Sequence, residues 1–319
     1  MEYRNLGDSG LKVSAVGLGC NNFAMKCDAE LTRAIVHRAL DEGVNFFDTA
    51  DIYGNRGGSE ELLGRALGNR RRDAIVATKF GMAMGDGPFL RGGSRRYIFA
   101  AAEASLKRLG SDYIDLYQIH QPDPETPQYE TLAALGDLVR AGKVRYIGCS
   151  NFAAWQMVDA IWLSRANRMP AYISAQNQYD LLDRRVEREL TPACRRFGVG
   201  ILPYFPLASG FLTGKYRRGA EPPTGARLTL VQRLAQQVMT EANYATVERL
   251  EEFARSRGHT ILELAVGWLA EQPQVPSVIS GATSPEQVSE NVKAANWKLS
   301  PEERGEVDKL SLGSREEKR

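Results

Sequence analysis

The chain has 319 residues and a formal net charge of +2, from 41 Lys and Arg against 39 Asp and Glu. With 43% hydrophobic and 25% charged residues it has the composition of a folded globular protein, and its near-neutral charge gives no footing for a nucleic-acid or anionic-membrane partner. Its four cysteines form no CxxC pair and its three histidines are scattered, which leaves no metal-ligand spacing and no disulfide framework.

The first residues, Met1 to Gly7, hold no apolar leader, and no apolar run reaches the ~20 residues that span a membrane. A cytoplasmic location with reduced thiols is the expectation. Tyr3 to Gly7 and Lys12 to Ser14 read as a β-hairpin, placed to plug the bottom of the main body of the fold. From there strand-like and helical stretches alternate. Short apolar runs at 15–19, 45–49, 74–79, 114–120, 145–150, 173–177, 200–204 and 277–281 predict eight strands. Their lack of clean alternation suits parallel strands covered on both faces. Amphipathic stretches at 31–42, 59–67, 94–109, 126–141, 153–165, 186–197 and 284–294 predict helices between them. Ser59 before Glu60-Glu61, Ser94 after Gly92-Gly93, and Ser284 before Pro285 read as N-caps. An insertion at about 205–241 follows the seventh strand, a polar helix at 299–309 follows the last repeat, and 313–319 reads as a frayed tail.

Eight strands with intervening helices predict an α/β fold of the closed (β/α)8 TIM-barrel type, one domain over 1–319 with an N-terminal hairpin and a C-terminal extra helix. The competing doubly wound sheet needs a Gly-rich fingerprint after the first strand. Gly17-Leu18-Gly19 lacks the third glycine.

In such a barrel, polar groups at the C-terminal ends of strands are the candidates for chemistry. Reading them off gives Asp48, Lys79, His120, Ser150-Asn151, Gln176, Tyr204 and Gly281, with Tyr53 shortly after Asp48. A phenol with pKa ~10 is a poor acid at neutral pH. A neighbouring ammonium lowers that pKa, and a carboxylate holds the ammonium charged. A histidine can hydrogen-bond a substrate carbonyl. Together these groups can protonate an alkoxide as a hydride arrives.

D-T-A-x-x-Y-G at 48–54, Lys79, His120, G-C-S-N at 148–151 and Q-N at 176–177 resemble the aldo-keto reductase superfamily. So do Tyr204-Phe205-Pro206-Leu207, the run from Gly210 to Tyr216, and Gly281-Ala282-Thr283 leading to Gln287, Glu290 and Asn291. The opening from Tyr3 to Ser14 resembles the branch holding bacterial reductases and potassium-channel β subunits. The resemblance implies NADPH-dependent reduction of an aldehyde or ketone, with NADP(H) bound without a Rossmann fold. By position, Tyr53 would be the general acid, Lys79 and Asp48 would tune it, and His120 would orient the carbonyl. Ser150, Asn151 and Gln176 would hold the nicotinamide carboxamide, and Tyr204 would stack on its ring. Gly19, Cys20, Asn21 and Asp48 would border the same cofactor. Phe205, Pro206, Leu207, Ser209, Gly210, Leu212 and Gly214 would line the pyrophosphate path. Gly281, Thr283, Gln287, Glu290 and Asn291 would surround the adenosine end. Asn22, Phe23, Phe89 and Gln121, with Tyr53 and His120, would shape the substrate pocket.

Many members carry a Lys-Ser pair after strand eight and an Arg in the next helix, aimed at the 2′-phosphate. Here Gly281-Ala282-Thr283 and Gln287 stand in their places. The positive charge is then expected from Lys215 and Arg227, with Arg217 and Arg218 as further candidates. A small carbonyl compound is the only partner implied. A keto-sugar reductase, or a cofactor-binding regulatory subunit with little turnover, are the competing readings. The run Arg70-Arg71-Arg72 reads as a solvated turn, and His37 and His259 as structural.

Overall fold

A computed structural model describes residues 1–312, and the tail at 313–319 lies outside them. An antiparallel hairpin, β1 (Tyr3–Asn5) with β2 (Lys12–Ser14), precedes eight parallel strands. These are β3 (Val16–Gly19), β4 (Phe46–Asp48), β5 (Ile75–Phe80), β6 (Ile114–Ile119), β7 (Val144–Ser150), β8 (Ser174–Gln178), β9 (Gly200–Tyr204) and β10 (Val278–Gly281). Ladders run from β10 through β3 and on in chain order to β9. β9 and β10 lie side by side, and the Ile201 N–H donates to the Gln274 carbonyl just ahead of β10, bringing the sheet round into a barrel.

The helices are α1 (Ala29–Asp41), α2 (Tyr53–Leu67), α3 (Arg95–Leu109), α4 (Gln128–Arg140), α5 (Ala154–Ala166) and α6 (Leu190–Phe197), then α7 (Arg227–Leu230), α8 (Gln232–Val238), α9 (Glu241–Ser256), α10 (Ile261–Ala270), α11 (Pro285–Ala294) and α12 (Pro301–Leu312). Ser94 and Ser284 cap α3 and α11 as the sequence predicts. α12 starts on a Ser300–Glu303 capping box and runs to Leu312, with Val307 buried. None of the helices among the described residues is long and apolar enough to cross a membrane.

Three sequence expectations change, and the insertion gains detail. Ser59 does not cap a helix: α2 is broken by a left-handed turn at Gly54 to Gly57, and the buried Ser59 hydroxyl after it donates to the Cys20 carbonyl at 2.7 Å and meets Thr49 Oγ1 at 2.8 Å instead of a helix N–H. The stretch 186–197 splits into a 3-10 turn (Arg185–Glu187) and α6. The insertion at 205–241 holds a 3-10 turn (Ala208–Thr213) and the short helices α7 and α8. Arg71 is not a solvated turn residue: its guanidinium lies 4.5 Å over the Tyr113 ring and pairs with Asp115 at 2.8 Å.

Strand periodicity builds the interior. Phe46, Ala77, Leu116, Leu202 and Ile279 pack together inside the barrel, and Leu6 and Val13 of the hairpin join them from below. Two residues further along four of the same strands stand Asp48, Lys79, Gln118 and Tyr204. The barrel is thus apolar below and polar above. The hairpin docks through Gly7, at φ +57, where a Cβ would lie 2.5 Å from the Gly198 carbonyl oxygen and 2.6 Å from that of Ile173. The next residue, Asp8, donates its N–H to Gly198 at 2.7 Å.

Gly7→Ala combines an unfavourable left-handed backbone with a backbone clash. It should cost roughly 2 kcal/mol or more and lower the midpoint in scanning calorimetry. Gly10→Ala, where a Cβ meets nothing within 4 Å, should leave that midpoint unchanged.

Candidate active site

The polar layer is organised by one ammonium. Lys79, at the top of β5, has no exposed surface. Its Nζ donates to Asp48 Oδ2 at 2.7 Å and to the Thr49 carbonyl at 2.8 Å. The other oxygen of Asp48 accepts from Gln176 Nε2 at 2.8 Å and Gln118 Nε2 at 3.5 Å. Burial is the largest single effect and works against the charged lysine, but Asp48 and Tyr53 together outweigh it and the net shift is upward. Lys79 therefore stays cationic.

Tyr53 follows β4, with Lys79 Nζ 5.0 Å from its ring centre. From sequence, the ammonium is expected to lower the phenol's pKa. Lys79, and more weakly Arg227, do pull it down, yet burial pushes harder and the net direction is up. Tyr53 is thus a neutral proton donor. The His120 ring stands perpendicular to it, 5.8 Å between centres. Burial, then the Lys79 charge, holds the imidazole down to about 3, so His120 is neutral as well. Its buried Nδ1 has no partner.

Above these groups lies a cleft of about 720 Å³ that runs from Tyr53 and His120 to the N-terminal end of α11. Of the sequence-predicted residues it collects Gly19, Cys20, Asn21, Asn22, Asp48, Ser150, Asn151, Gln176, Tyr204, Phe205, Pro206, Leu207, Ser209, Gly210, Lys215, Arg227, Gly281, Thr283, Gln287, Glu290 and Asn291. A chain of hydrogen bonds sets its middle. The Tyr204 hydroxyl donates to Asn151 Oδ1 at 2.8 Å, Asn151 Nδ2 donates to the His120 carbonyl at 2.9 Å, and Ser150 Oγ donates to the Gln176 carbonyl at 2.9 Å. At the far end Gln287 Oε1 accepts from the Thr283 N–H at 2.8 Å, and Asn291 Nδ2 donates to the Gly281 carbonyl at 3.3 Å.

Several expectations fail for loop residues. Phe23 is fully buried in the core rather than facing the cleft. Phe89 is 56% exposed, with Arg96 stacked 4.1 Å over its ring, and Gln121 is exposed outside the cleft. Leu212 is core, and Gly214 packs towards Ile261 and Glu251. Both shape the 3-10 turn rather than line the cleft. Arg217 and Arg218 are spent on Glu251 and on Glu241 and Glu248. Reasoning from strand ends also misses Lys26, Thr213, Gly225, Ala226, Leu262 and Ile279 as lining residues. Lys26 is findable as a cation in the loop after the first barrel strand; the rest carry no chemical signal.

The donor set fits an extended dinucleotide with a negative middle. Lys26, Lys215 and Arg227 line the cleft, and none has an acid within ion-pair distance among the described residues. Lys215 is pushed down by burial and by the Lys26 charge, and Arg227 by burial. Like charges gathered without counter-ions call for an anion. Ser209 Oγ is buried beside them without a partner.

The model of the aldo/keto reductase family matches residues 15–312. L-glyceraldehyde 3-phosphate reductase of Escherichia coli (strain K12) is 38% identical over 307 residues, covering 93% of this chain and 88% of that protein. A probable voltage-gated potassium channel subunit beta of Arabidopsis thaliana is 39% identical over 303 residues, 93% and 92% of the two chains. Versiconal hemiacetal acetate reductase of Aspergillus parasiticus is 35% identical over 331 residues, 95% of each. With its barrel, its strand-end groups and a match over almost its whole length, the chain belongs to the aldo/keto reductase family of oxidoreductases.

Proposed function

We propose that this chain reduces a small aldehyde or ketone to an alcohol with NADP(H), Tyr53 acting as general acid. The observation that carries the reading is the buried Lys79 ammonium, held by Asp48 at 2.7 Å, 5.0 Å from the centre of the Tyr53 ring and beside a neutral His120. Ser150, Asn151, Gln176 and Tyr204 would hold the nicotinamide end, the unpaired cations the phosphates, and Thr283, Gln287, Glu290 and Asn291 the adenosine end. When bound, the cofactor supplies a hydride.

The chain's own groups do the proton work. His120 donates a ring N–H to the carbonyl oxygen and fixes its position. Tyr53 gives its phenolic proton to the oxygen as negative charge develops there. The phenolate that remains faces Lys79 Nζ, and Asp48 keeps that nitrogen charged through the step. A second reading, a cofactor-binding regulatory subunit, is favoured by the likeness to a protein named as a probable channel subunit. The complete set of four polar groups favours turnover. A panel of aldehydes and ketones with NADPH separates the two: tight cofactor binding without turnover on any carbonyl would select the regulatory role.

Tyr53→Phe keeps the ring and removes the proton. We expect kcat to fall at least ~10²-fold, with NADPH affinity by protein fluorescence nearly unchanged. Near-normal kcat would remove Tyr53 from its role.

Lys79→Met leaves the Asp48 carboxylate buried and uncompensated. Breaking such a pair costs about 3–5 kcal/mol, so the melting midpoint should fall. Reduction should nearly stop, since the cation that pulls the phenol's pKa down is gone. An unchanged pH–rate profile would show that Lys79 does not tune the acid.

For cofactor choice, Arg227→Ala should raise the KM for NADPH more than that for NADH. A charge-assisted contact of about 1.5–3 kcal/mol corresponds to a ten- to hundred-fold narrowing of the preference. Equal losses with both cofactors would assign Arg227 to the shared pyrophosphate. A wild-type preference for NADH would defeat the NADP(H) reading.

A further inference from the structure

The segment carrying Tyr53 is clamped from outside the barrel. Tyr53 is followed by four residues of positive φ, Gly54, Asn55, Arg56 and Gly57, at 64°, 58°, 68° and 119°. Two of them carry side chains in a region that side chains disfavour. Arg108, on the outer helix α3, lies across Gly57, where a Cβ would strike its side chain. The Arg108 guanidinium then donates through Nε to Glu60 Oε2 at 2.7 Å, and Glu60 Oε1 accepts from Thr78 Oγ1 at 2.5 Å. Thr78 immediately precedes Lys79. Glu60 has no exposed surface.

On the other side of Tyr53 sits Asp51, 1% exposed. Its N–H donates to the Lys79 carbonyl at 3.1 Å. Its Oδ2 accepts from the Tyr97 hydroxyl, at a long 3.3 Å, and its buried Oδ1 has no partner. The charged and titratable groups facing it are Glu60 from α2, Arg108 and Tyr97 from α3, and Tyr117 from β6. Two carboxylates therefore face one guanidinium, and its ion pair goes to Glu60 alone. None of these groups enters the proton transfer to the carbonyl.

We infer that the Asp51–Glu60–Arg108 cluster is a positioning device for Tyr53, balanced when Asp51 is neutral and loosened when it ionises. With Asp51 neutral, one carboxylate faces one guanidinium. With Asp51 ionised, a second anion is buried with a single weak donor. The segment 51–57 must then relax to admit water, and Tyr53 loses its alignment. Burial, then the Glu60 charge, pushes Asp51 up to about 7, while Arg108 pulls it down. The folded state thus holds this proton more tightly than the unfolded chain does. Its stabilising contribution is complete below the ordinary carboxylate range and is lost as pH rises through about 7.

The inference rests on Tyr53 being the acid, and the test keeps the two apart. In wild-type enzyme kcat should fall across an inflection near pH 7, well below the raised ionisation of Tyr53 itself. Asp51→Asn, a neutral isostere, should abolish that inflection and hold kcat within about two-fold of its low-pH value. Glu60→Gln should move the inflection to lower pH, and Arg108→Met to higher pH with a roughly ten-fold loss of kcat. NADPH titration by protein fluorescence should be unchanged in all three. Should Arg108→Met fail to fold, the melting midpoint still reports: between about pH 5 and pH 8 it should fall less in Asp51→Asn than in wild type. An inflection near pH 7 that persists in Asp51→Asn, with Tyr53→Phe inactive, overturns this inference alone. Normal turnover by Tyr53→Phe overturns the acid assignment and this inference with it.

Discussion

Everything at the top of the barrel depends on keeping one ammonium charged where no water reaches it. Lys79 has three N–H bonds to place. Asp48 takes one at 2.7 Å and the Thr49 carbonyl takes one at 2.8 Å, which leaves the third on a nitrogen 5.0 Å from the centre of the Tyr53 ring. Asp48 in turn needs donors on its second oxygen, and Gln176 and Gln118 reach in from β8 and β6 to supply them. Replacing a buried ion pair by well-packed apolar groups is often neutral or stabilising. Stability therefore does not explain why this pair is here. Its geometry holds a charged nitrogen beside the Tyr53 phenol ring, and that is a chemical arrangement.

The strand period divides the labour. A residue inside the barrel is followed two positions later by another inside it, so one strand serves both layers. Phe46, Ala77 and Leu116 form the dry floor, while Asp48, Lys79 and Gln118 form the reactive ceiling. The hairpin seals the floor with Leu6 and Val13, which keeps water from reaching the ion pair from below. The same low-dielectric floor drives the pKa directions above it: Tyr53 up, His120 down, both towards the neutral form.

The legible part of the sequence is the part governed by that period. Asp48, Lys79, Gln176 and Tyr204 end apolar runs, and a strand end fixes where such a side chain stands. The barrel and the four polar groups around Tyr53 can be read for that reason. Loops carry no such rule. Phe23 turns into the core, Phe89 stays on the surface under Arg96, and Lys26 arrives in the cleft from a loop whose expected site residues are Cys20, Asn21, Asn22 and Phe23. Ser59 resembles a cap because the left-handed turn before it leaves no trace in hydrophobic pattern. Sequence also points the wrong way for the pKa of Tyr53, because it names neighbours but not burial, and burial is the larger effect.

Backbone strain respects the same division between the two ends of the barrel. Among the described residues eight non-glycine positions have positive φ, and seven of them lie in the segments that follow the C-terminal ends of barrel strands. They are Ala24, Asn55, Arg56, Asn151, Phe205, Ala208 and Ser209; Arg168, after α5, is the exception. Each such residue costs on the order of 1–2 kcal/mol, so together they amount to a sizeable fraction of a domain's net stability. They persist because the surroundings leave no alternative. Asn151 is held by hydrogen bonds to the His120 carbonyl and Tyr204 hydroxyl, and Asn55 and Arg56 stand between Tyr53 and the Arg108 clamp. Phe205 lies between Tyr204 and Arg227. Strain that clusters on one face, against the same groups that surround the buried ammonium, reflects selection for side-chain placement there over local comfort. The opposite face, where Arg168 is the one such residue among those described, carries the packing that makes this tolerable.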